Sequence, residues 1–146
     1  MKQRLLFLSM TLALTSLPVK AAPVLETFSS RDTGIMGCQG VAGKRGSYSW
    51  QGPKYAAWDL VGQNEQGTMT LKINGQLRSF AYTESHANNG ENVRMSGRLG
   101  QYTVDIFVDF SKRTGYESSG GDGAIRIYSS KPGDSQSYPI TAMQGC

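Results

Sequence analysis

The stretch that decides the fold is YTVDIFVDF, residues 102–110. Successive side chains of a β-strand point to opposite faces, so the alternation of large apolar residues with Thr103, Asp105 and Asp109 predicts one buried face and one mostly hydrated face. No other segment beyond the N-terminal leader carries an apolar stripe of this length. We therefore expect residues 102–110 to form the strand that supplies most of the core.

Residues 1–21 have the three parts of a secretory signal peptide. Lys2 and Arg4 precede the apolar run LLFLSMTLAL at 5–14, and VKA at 19–21 offers an A-x-A-like site for cleavage after Ala21. The apolar run is too short to span a bilayer stably. We expect a periplasmic or secreted mature chain, with no stable membrane insertion after the signal is cleaved.

Loss of the leader removes most of the net positive charge. The whole chain has 15 basic and 11 acidic residues. Lys2, Arg4 and Lys20 lie in the leader, so the exported part keeps 12 basic against 11 acidic residues, and its formal charge falls from +4 to +1. A nucleic-acid-binding surface needs a larger basic excess, so we expect no nucleic-acid partner. The remaining residues, 22–146, are enough for a single domain with one core.

The two cysteines, Cys38 and Cys146, both lie in the exported part. An even cysteine count in an oxidising compartment predicts a disulfide. The bond would enclose nearly the whole domain, and closing a loop of about 100 residues predicts a stabilisation of about 4–5 kcal/mol. The alternative is a free thiol pair or an intermolecular bridge.

The mature chain begins with an N-terminal arm and glycine-rich segment, residues 22–46. Within it, glycine recurs at every third position from Gly34 to Gly46. This spacing is typical either of a flexible loop or of a three-residue turn that places the glycines on one edge.

Hairpins and short strands account for the rest of the chain. Asn74-Gly75 lies between alternating runs and is the strongest short hairpin signal; a three-residue loop, 74–76, keeps one face apolar, and we expect that register. Aromatic residues around Gly52-Pro53 predict a second hairpin with buried rings over 48–61. Polar residues at 85–92 and 111–123 predict loops.

Further strands are expected at 93–99, 124–128 and 138–143. Pro139 places the last of them at an edge of the sheet or places the proline at the beginning of the strand. Seven or eight short strands joined by glycine-containing turns, with no convincing helix, predict an all-β fold. The expected architecture is a small antiparallel β-sandwich or barrel closed by one disulfide.

Residues that could support catalysis are scarce. His86 is the only histidine, and its polar segment has no nucleophile motif, so we interpret it as a solvated loop residue. One histidine and two disulfide-bonded cysteines cannot supply a zinc site. Asp105 and Asp109 share one strand face about 13 Å apart, farther than a usual glycosidase pair. We expect no catalytic residues, metal or cofactor; the alternative is a cell-envelope hydrolase that uses Asp105 or Asp109.

The expected function is non-catalytic binding of a protein or glycan partner in the cell envelope. The chain leaves the core after Phe110, and the connection that follows contains the candidate binding residues Lys112, Arg113 and Tyr116. Tyrosine supplies contact area with little loss of rotamer entropy, and arginine supplies directed hydrogen bonds. An assembly component of an envelope or secretion apparatus, joined through exposed strand edges, is a further alternative.

The layout of a small exported β-domain with a cysteine near its start and another near its end is similar to that of the periplasmic and membrane-bound inhibitors of c-type lysozymes. Their Ser-Gly-x-x-Tyr motif is matched in part by SGRL at 96–99, where Gly100 stands in place of the tyrosine and Tyr102 follows. The resemblance implies a small antiparallel barrel that inserts a loop into the cleft of the enzyme. It therefore implies a periplasmic inhibitor of a lysozyme-like enzyme.

Overall fold

The computed structural model describes residues 22–35, 37–62, 65–131 and 133–146. The leader predicted at residues 1–21 lies outside the described residues. The described residues form one turn of 3₁₀ helix and twelve strands. The turn is Ser30–Thr33, and the strands are β1 Leu25–Glu26, β2 Phe28–Ser29, β3 Gln39–Lys44, β4 Pro53–Lys54, β5 Ala56–Asp59, β6 Gln66–Ile73, β7 Gln76–Ala87, β8 Asn92–Leu99, β9 Tyr102–Asp109, β10 Lys112–Arg113, β11 Ser118–Tyr128 and β12 Gln136–Gly145.

Eight of these strands close into an antiparallel barrel in the order β6-β5-β3-β12-β11-β9-β8-β7, and β7 pairs with β6 to complete the ring. The short strands β1 and β10 pair with β6 and β11, while β2 pairs with β4. Closure pairs the two edge strands of the sheet with each other. The predicted all-β antiparallel fold is confirmed, and the architecture is a barrel.

The predicted core strand is β9. Its side chains Val104, Ile106 and Val108 point into the barrel and are at most 3% exposed. They pack against the inward-facing apolar side chains of the other strands, which include Met69, Leu71, Phe80, Met95, Ile125, Ile127 and Ile140. Alternation along β9 leaves Phe107 and Asp109 exposed on the outer wall, as the pattern predicts, but Asp105 on the same face is only 2% exposed.

Cys38 and Cys146 form the predicted disulfide, across 108 residues of sequence. The bond joins the residue before β3 to the residue after β12, and these two strands are neighbours in the barrel. A structural disulfide indicates an oxidising, non-cytoplasmic compartment. Among the described residues, no helix is long and apolar enough to cross a membrane.

The glycine-rich segment is in part a strand, where the sequence predicts a loop or turn. Gly40 and Gly43 lie in β3, and because their positions differ by three, an odd number, they face opposite sides of the wall. Gly40 faces the interior, where a Cβ atom would lie 2.0 Å from the indole Cε2 of Trp58. The prediction is wrong here because position 40 must leave space for a buried tryptophan ring.

The hairpin at Asn74-Gly75 has a two-residue loop, and the predicted three-residue loop is wrong. Its register places Ile73 opposite Gln76. Asn74 and Gly75 have φ values of 50° and 79°, the left-handed conformation that a tight two-residue hairpin turn requires. The turn geometry outweighs the apolar pattern, and Leu77 is left 44% exposed as a result.

Three other segments differ from the prediction. β7 continues to Ala87, and β11 begins at Ser118, so much of each predicted loop is strand. The predicted hairpin at 48–61 is also wrong, since β5 pairs with β3 and β4 pairs with β2. Polar and glycine residues weaken the local strand signal in β7 and β11, although both pair with strands adjacent in sequence.

The predicted place of Pro139, at an edge strand or at the beginning of its strand, is wrong. Pro139 lies inside β12, which has β11 on one side and β3 on the other. Its position opposite Ala124 leaves β11 paired, but pairing with β3 begins only at Ile140. Pro139 therefore has a neighbouring strand on one side only, which meets the requirement that a proline without an N–H group imposes.

Candidate functional site

A cavity of about 500 Å³ opens at one end of the barrel. Its walls include Leu60 and Val61 after β5 and Phe110 after β9, and most of the segment 111–119 forms its rim. The last residues of β12 and the cysteine that follows also line it. The open end therefore collects residues from several strands that are distant in sequence.

All three residues predicted to bind a partner line this cavity. Lys112 and Arg113 form β10 and pair with the beginning of β11. The chain then turns sharply, and the Thr114 N–H donates a hydrogen bond to the carbonyl oxygen of Ser118 at 3.1 Å. Tyr116 lies in this turn with 89% of its side chain exposed. The structure thus brings the three residues together on the rim.

The two cations of the rim make different contacts. The Arg113 guanidinium donates hydrogen bonds to the carbonyl oxygens of Gly115, at 3.3 Å, and Tyr116, at 3.0 Å. Lys112 Nζ lies 3.8 Å from the centroid of the Tyr48 ring. Arg113 therefore shapes the turn that presents Tyr116. Lys112 instead lies against the ring of Tyr48.

Glu84 and His86 form a polar pair that we call the floor of the cavity. They lie two residues apart on β7, so both side chains are on the inner face. Glu84 Oε1 lies 2.7 Å from His86 Nε2, and Glu84 is only 5% exposed. Within the described residues, Glu84 Oε2 is buried without a hydrogen-bond partner. The interpretation of His86 as a solvated loop residue is wrong, since it lies in a strand and contacts Glu84.

The pKa values of two neighbouring groups on β7, Glu84 and Tyr82, are raised. Burial raises the pKa of Glu84, while the hydrogen bond and the charge of His86 oppose that rise. Burial also raises the pKa of Tyr82, and the negative charges of Glu84 and Asp59 add to the effect. The Tyr82 hydroxyl donates a hydrogen bond to the backbone carbonyl of Asp59. A carboxyl group with a raised pKa inside a cavity is a candidate functional group.

A second cleft, of about 330 Å³, adjoins the first. Both clefts are lined by Tyr116, Glu117 and Ser118 and by the end of the chain after β12. The second cleft also contains Gln39 and the half-buried Trp50. The rim tyrosine therefore belongs to both clefts, with a tryptophan in one and the Glu84 floor in the other.

The two aspartates considered for hydrolysis lie on the outer wall of the barrel. Asp105 is 2% exposed, and both of its carboxylate oxygens accept hydrogen bonds. Its Oδ1 accepts from the Ser96 hydroxyl at 2.5 Å, and its Oδ2 accepts from Arg94 Nη2 and Tyr128 Oη at 3.1 Å each. Neither Asp105 nor Asp109 lines the cavity at the open end. Ser96, the serine of the lysozyme-inhibitor motif, is thus engaged within the wall.

The chemistry that the site offers is recognition by hydrogen bonds and apolar contact. In the described part of the chain, no group of three or more histidine, cysteine or acidic side chains could hold a metal ion. An acceptor carboxylate, an imidazole, apolar walls and an exposed aromatic ring are groups that fix the orientation of a polar ligand.

Glu84 is the site residue that sequence reasoning missed. The signal that could have found it is the Glu-x-His spacing, which puts both side chains on one face once the segment is recognised as a strand. The predicted loop at 85–92 concealed that spacing. Comparisons with protein-family models, with curated proteins and with solved structures find no match for this chain.

Proposed function

We propose that this chain is a non-catalytic binding protein of the periplasm or the extracellular space, and that it holds a protein or glycan partner at the open end of the barrel. The observation that carries the proposal is the meeting of two features in one cavity. The rim presents Lys112, Arg113 and Tyr116, and the floor contains a Glu84 oxygen that has no hydrogen-bond partner among the described residues. Clefts that combine apolar walls with a few converging polar groups are typical of ligand sites.

The scaffold suits this role because it is already ordered before the partner arrives. The barrel ring pairs its own strands, and the Cys38–Cys146 bond fixes the end of β12 beside the rim. Binding to a preorganised surface loses less conformational entropy than binding to a mobile one. The leader predicted at residues 1–21 supplies the route of export for such a protein.

The alternative functions have less support. A hydrolase that works through Asp105 would have to break the hydrogen bonds that occupy both of its oxygens. An assembly component joined by strand edges could use only the short two-residue strands outside the ring, because the eight ring strands pair with each other. Inhibition of a lysozyme-like enzyme remains a special case of protein binding, in which the turn that carries Tyr116 enters the cleft of the enzyme.

The test is capture of a partner by the purified, exported chain and by two variants of it. Envelope extract and host fluid are passed over wild type, Tyr116→Ala and Leu77→Ala, and the captured proteins and glycans are quantified; a c-type lysozyme is included as a defined protein. Leu77 is the matched control because it is 44% exposed near the opposite end of β7. We expect Tyr116→Ala to weaken capture about tenfold or more and Leu77→Ala to leave it unchanged.

Equal capture by wild type and both variants would place the contact elsewhere and contradict the proposal. Binding to the lysozyme that depends on Tyr116 would indicate that the protein partner is a lysozyme-like enzyme and that the chain acts as its inhibitor.

A further inference from the structure

The unpartnered oxygen of Glu84 calls for a ligand that donates a hydrogen bond. Glu84 lines the cavity, its Oε1 contacts His86, and within the described residues its Oε2 lacks a partner. A buried acceptor left without a donor is rare in folded proteins. The terminal torsion of a glutamate is soft, so the carboxyl group of Glu84 can reorient beside the cavity that it lines. For the ionised carboxylate, the missing partner is therefore an O–H or N–H group.

The charges around the cavity favour an uncharged donor. The Lys, Arg and Glu side chains that line the cavity carry no net formal charge, because two cations on the rim balance Glu84 and Glu117. Net charge therefore attracts neither a cation nor an anion, and an ammonium group would have to pass Lys112 and Arg113 to reach Glu84. An anion would instead meet the Glu84 carboxylate at the floor, where a low local dielectric strengthens repulsion. A neutral hydroxyl avoids both penalties.

The surfaces next to the acceptor suit a sugar ring. A pyranose carries hydroxyl groups around its edge and C–H groups on its faces, so one unit can donate a hydrogen bond while its face packs on an apolar surface. Leu60, Val61 and Phe110 supply such a surface inside the cavity. Tyr116 on the rim and Trp50 in the adjoining cleft add aromatic rings.

The two adjoining clefts give room for more than one unit. Their volumes are about 500 and 330 Å³, and both are lined by Tyr116. We propose that the open end of the barrel binds a neutral oligosaccharide, with one unit donating a hydroxyl hydrogen bond to Glu84 and the next lying across Tyr116 towards Trp50. This inference rests on the proposed binding function and narrows its partner to a glycan.

The experiment is calorimetric titration of the purified chain with tetrasaccharides of matched length. Chitotetraose, cellotetraose and maltotetraose are the neutral probes, and a fully deacetylated chitosan tetramer and tetragalacturonate are the cationic and anionic comparators. We expect at least one neutral probe to bind, and both charged comparators to bind at least about tenfold more weakly than it. Tryptophan fluorescence should change on binding because Trp50 lines the second cleft.

Three variants locate the site. Glu84→Gln removes the charged acceptor and Tyr116→Ala removes the rim ring, and each should weaken sugar binding about tenfold. Leu77→Ala, at the far end of β7, should bind like wild type. Because Tyr116 is 89% exposed, its variant keeps the test valid even if Glu84→Gln does not fold.

Each remaining outcome has a defined meaning. If no neutral probe binds at up to about 10 mM while capture of a protein still depends on Tyr116, the glycan inference is overturned and the binding function stands. Tighter binding of a charged comparator than of every neutral probe would contradict the inference that the ligand is neutral. Sugar binding that is unchanged in Glu84→Gln and Tyr116→Ala would contradict the placement of the sugar at the open end of the barrel. Cleavage of a bound tetramer would support the site and overturn the non-catalytic assignment.

Discussion

The outer wall around Asp105 and the cavity floor around Glu84 each bury a carboxylate, but in different surroundings. Asp105 is 2% exposed and Glu84 is 5% exposed. Side chains of the neighbouring strands β8 and β11 donate hydrogen bonds to both oxygens of Asp105. Glu84 has a contact from His86 on one oxygen, and among the described residues its other oxygen has no partner.

The difference separates a structural acid from one that is available to a ligand. A fully satisfied buried carboxylate contributes to stability because its removal leaves several donors unpaired. A partly satisfied carboxylate destabilises the ionised native state, so its presence at the edge of a cavity needs another explanation. Burial alone therefore does not identify the functional residue, whereas the count of hydrogen-bond partners does.

Asp105→Asn is expected to give the largest change in the free energy of unfolding. The amide cannot accept all three hydrogen bonds, so the Arg94, Ser96 and Tyr128 donors lose a common charged acceptor. We expect the free energy of unfolding to fall by about 2–4 kcal/mol. Urea unfolding measures the change as a lower midpoint at an unchanged slope.

Asp109→Asn is the matched control, since it changes the same residue type on the same strand face. Asp109 is exposed and accepts one hydrogen bond, from the Ser111 N–H at 3.1 Å. Its variant should lose less than about 1 kcal/mol. Equal effects of the two substitutions would remove the distinction between the satisfied carboxylate and an ordinary surface acid.

Glu84→Gln is expected to change the free energy of unfolding by less than Asp105→Asn does, and in the opposite direction. Burial raises the pKa of Glu84 in the native state above its usual value of 4.5. Between that value and the raised native pKa, the native state binds more protons than the unfolded state, so wild-type stability falls as the pH rises. Glutamine does not titrate, and the variant should become increasingly more stable than wild type as the pH rises through this window.

Urea unfolding at a series of pH values from below 4.5 to neutral tests this prediction. Glu117→Gln, an exposed acid on the rim of the same cavity, is the control and should track wild type. A Glu84→Gln variant that is less stable than wild type at neutral pH would show that Glu84 is a structural acid like Asp105.

The all-β fold was accessible from the sequence because its signals are local. The alternation at 102–110 and the turn at Asn74-Gly75 each depend on neighbouring residues, and the two cysteines allowed one intramolecular pairing. The pairing of β3 with β12 was not accessible, since it joins the two ends of the domain. Glycines also hid strands: a Cβ atom on Gly121 in β11 would lie 1.4 Å from the carbonyl oxygen of Asp109, so this glycine permits a close strand approach.

Part of the candidate site could also be predicted from the sequence, because its signal is local. Lys112, Arg113 and Tyr116 attract attention locally because they follow the end of an apolar alternation. Glu84 does not, since the cavity that it lines is formed together with Phe110 and with other residues that reach the open end from other strands. The role proposed for Glu84 rests on tertiary structure, which one stretch of sequence does not contain.

The smallest expected change in the free energy of unfolding comes from removing a single tyrosine hydroxyl group, on the outer wall or on the rim. Tyr128→Phe removes the donor that lies 3.1 Å from Asp105 Oδ2 on the outer wall, and should lower the free energy of unfolding by about 1 kcal/mol. Tyr116→Phe makes the same chemical change on the rim, where the side chain is 89% exposed, and should change stability by less than about 0.5 kcal/mol. Thermal and urea unfolding of the two variants, measured side by side, give the difference. If Tyr116→Phe costs as much as Tyr128→Phe, the rim tyrosine stabilises the fold, and the assignment of that position to partner binding is wrong.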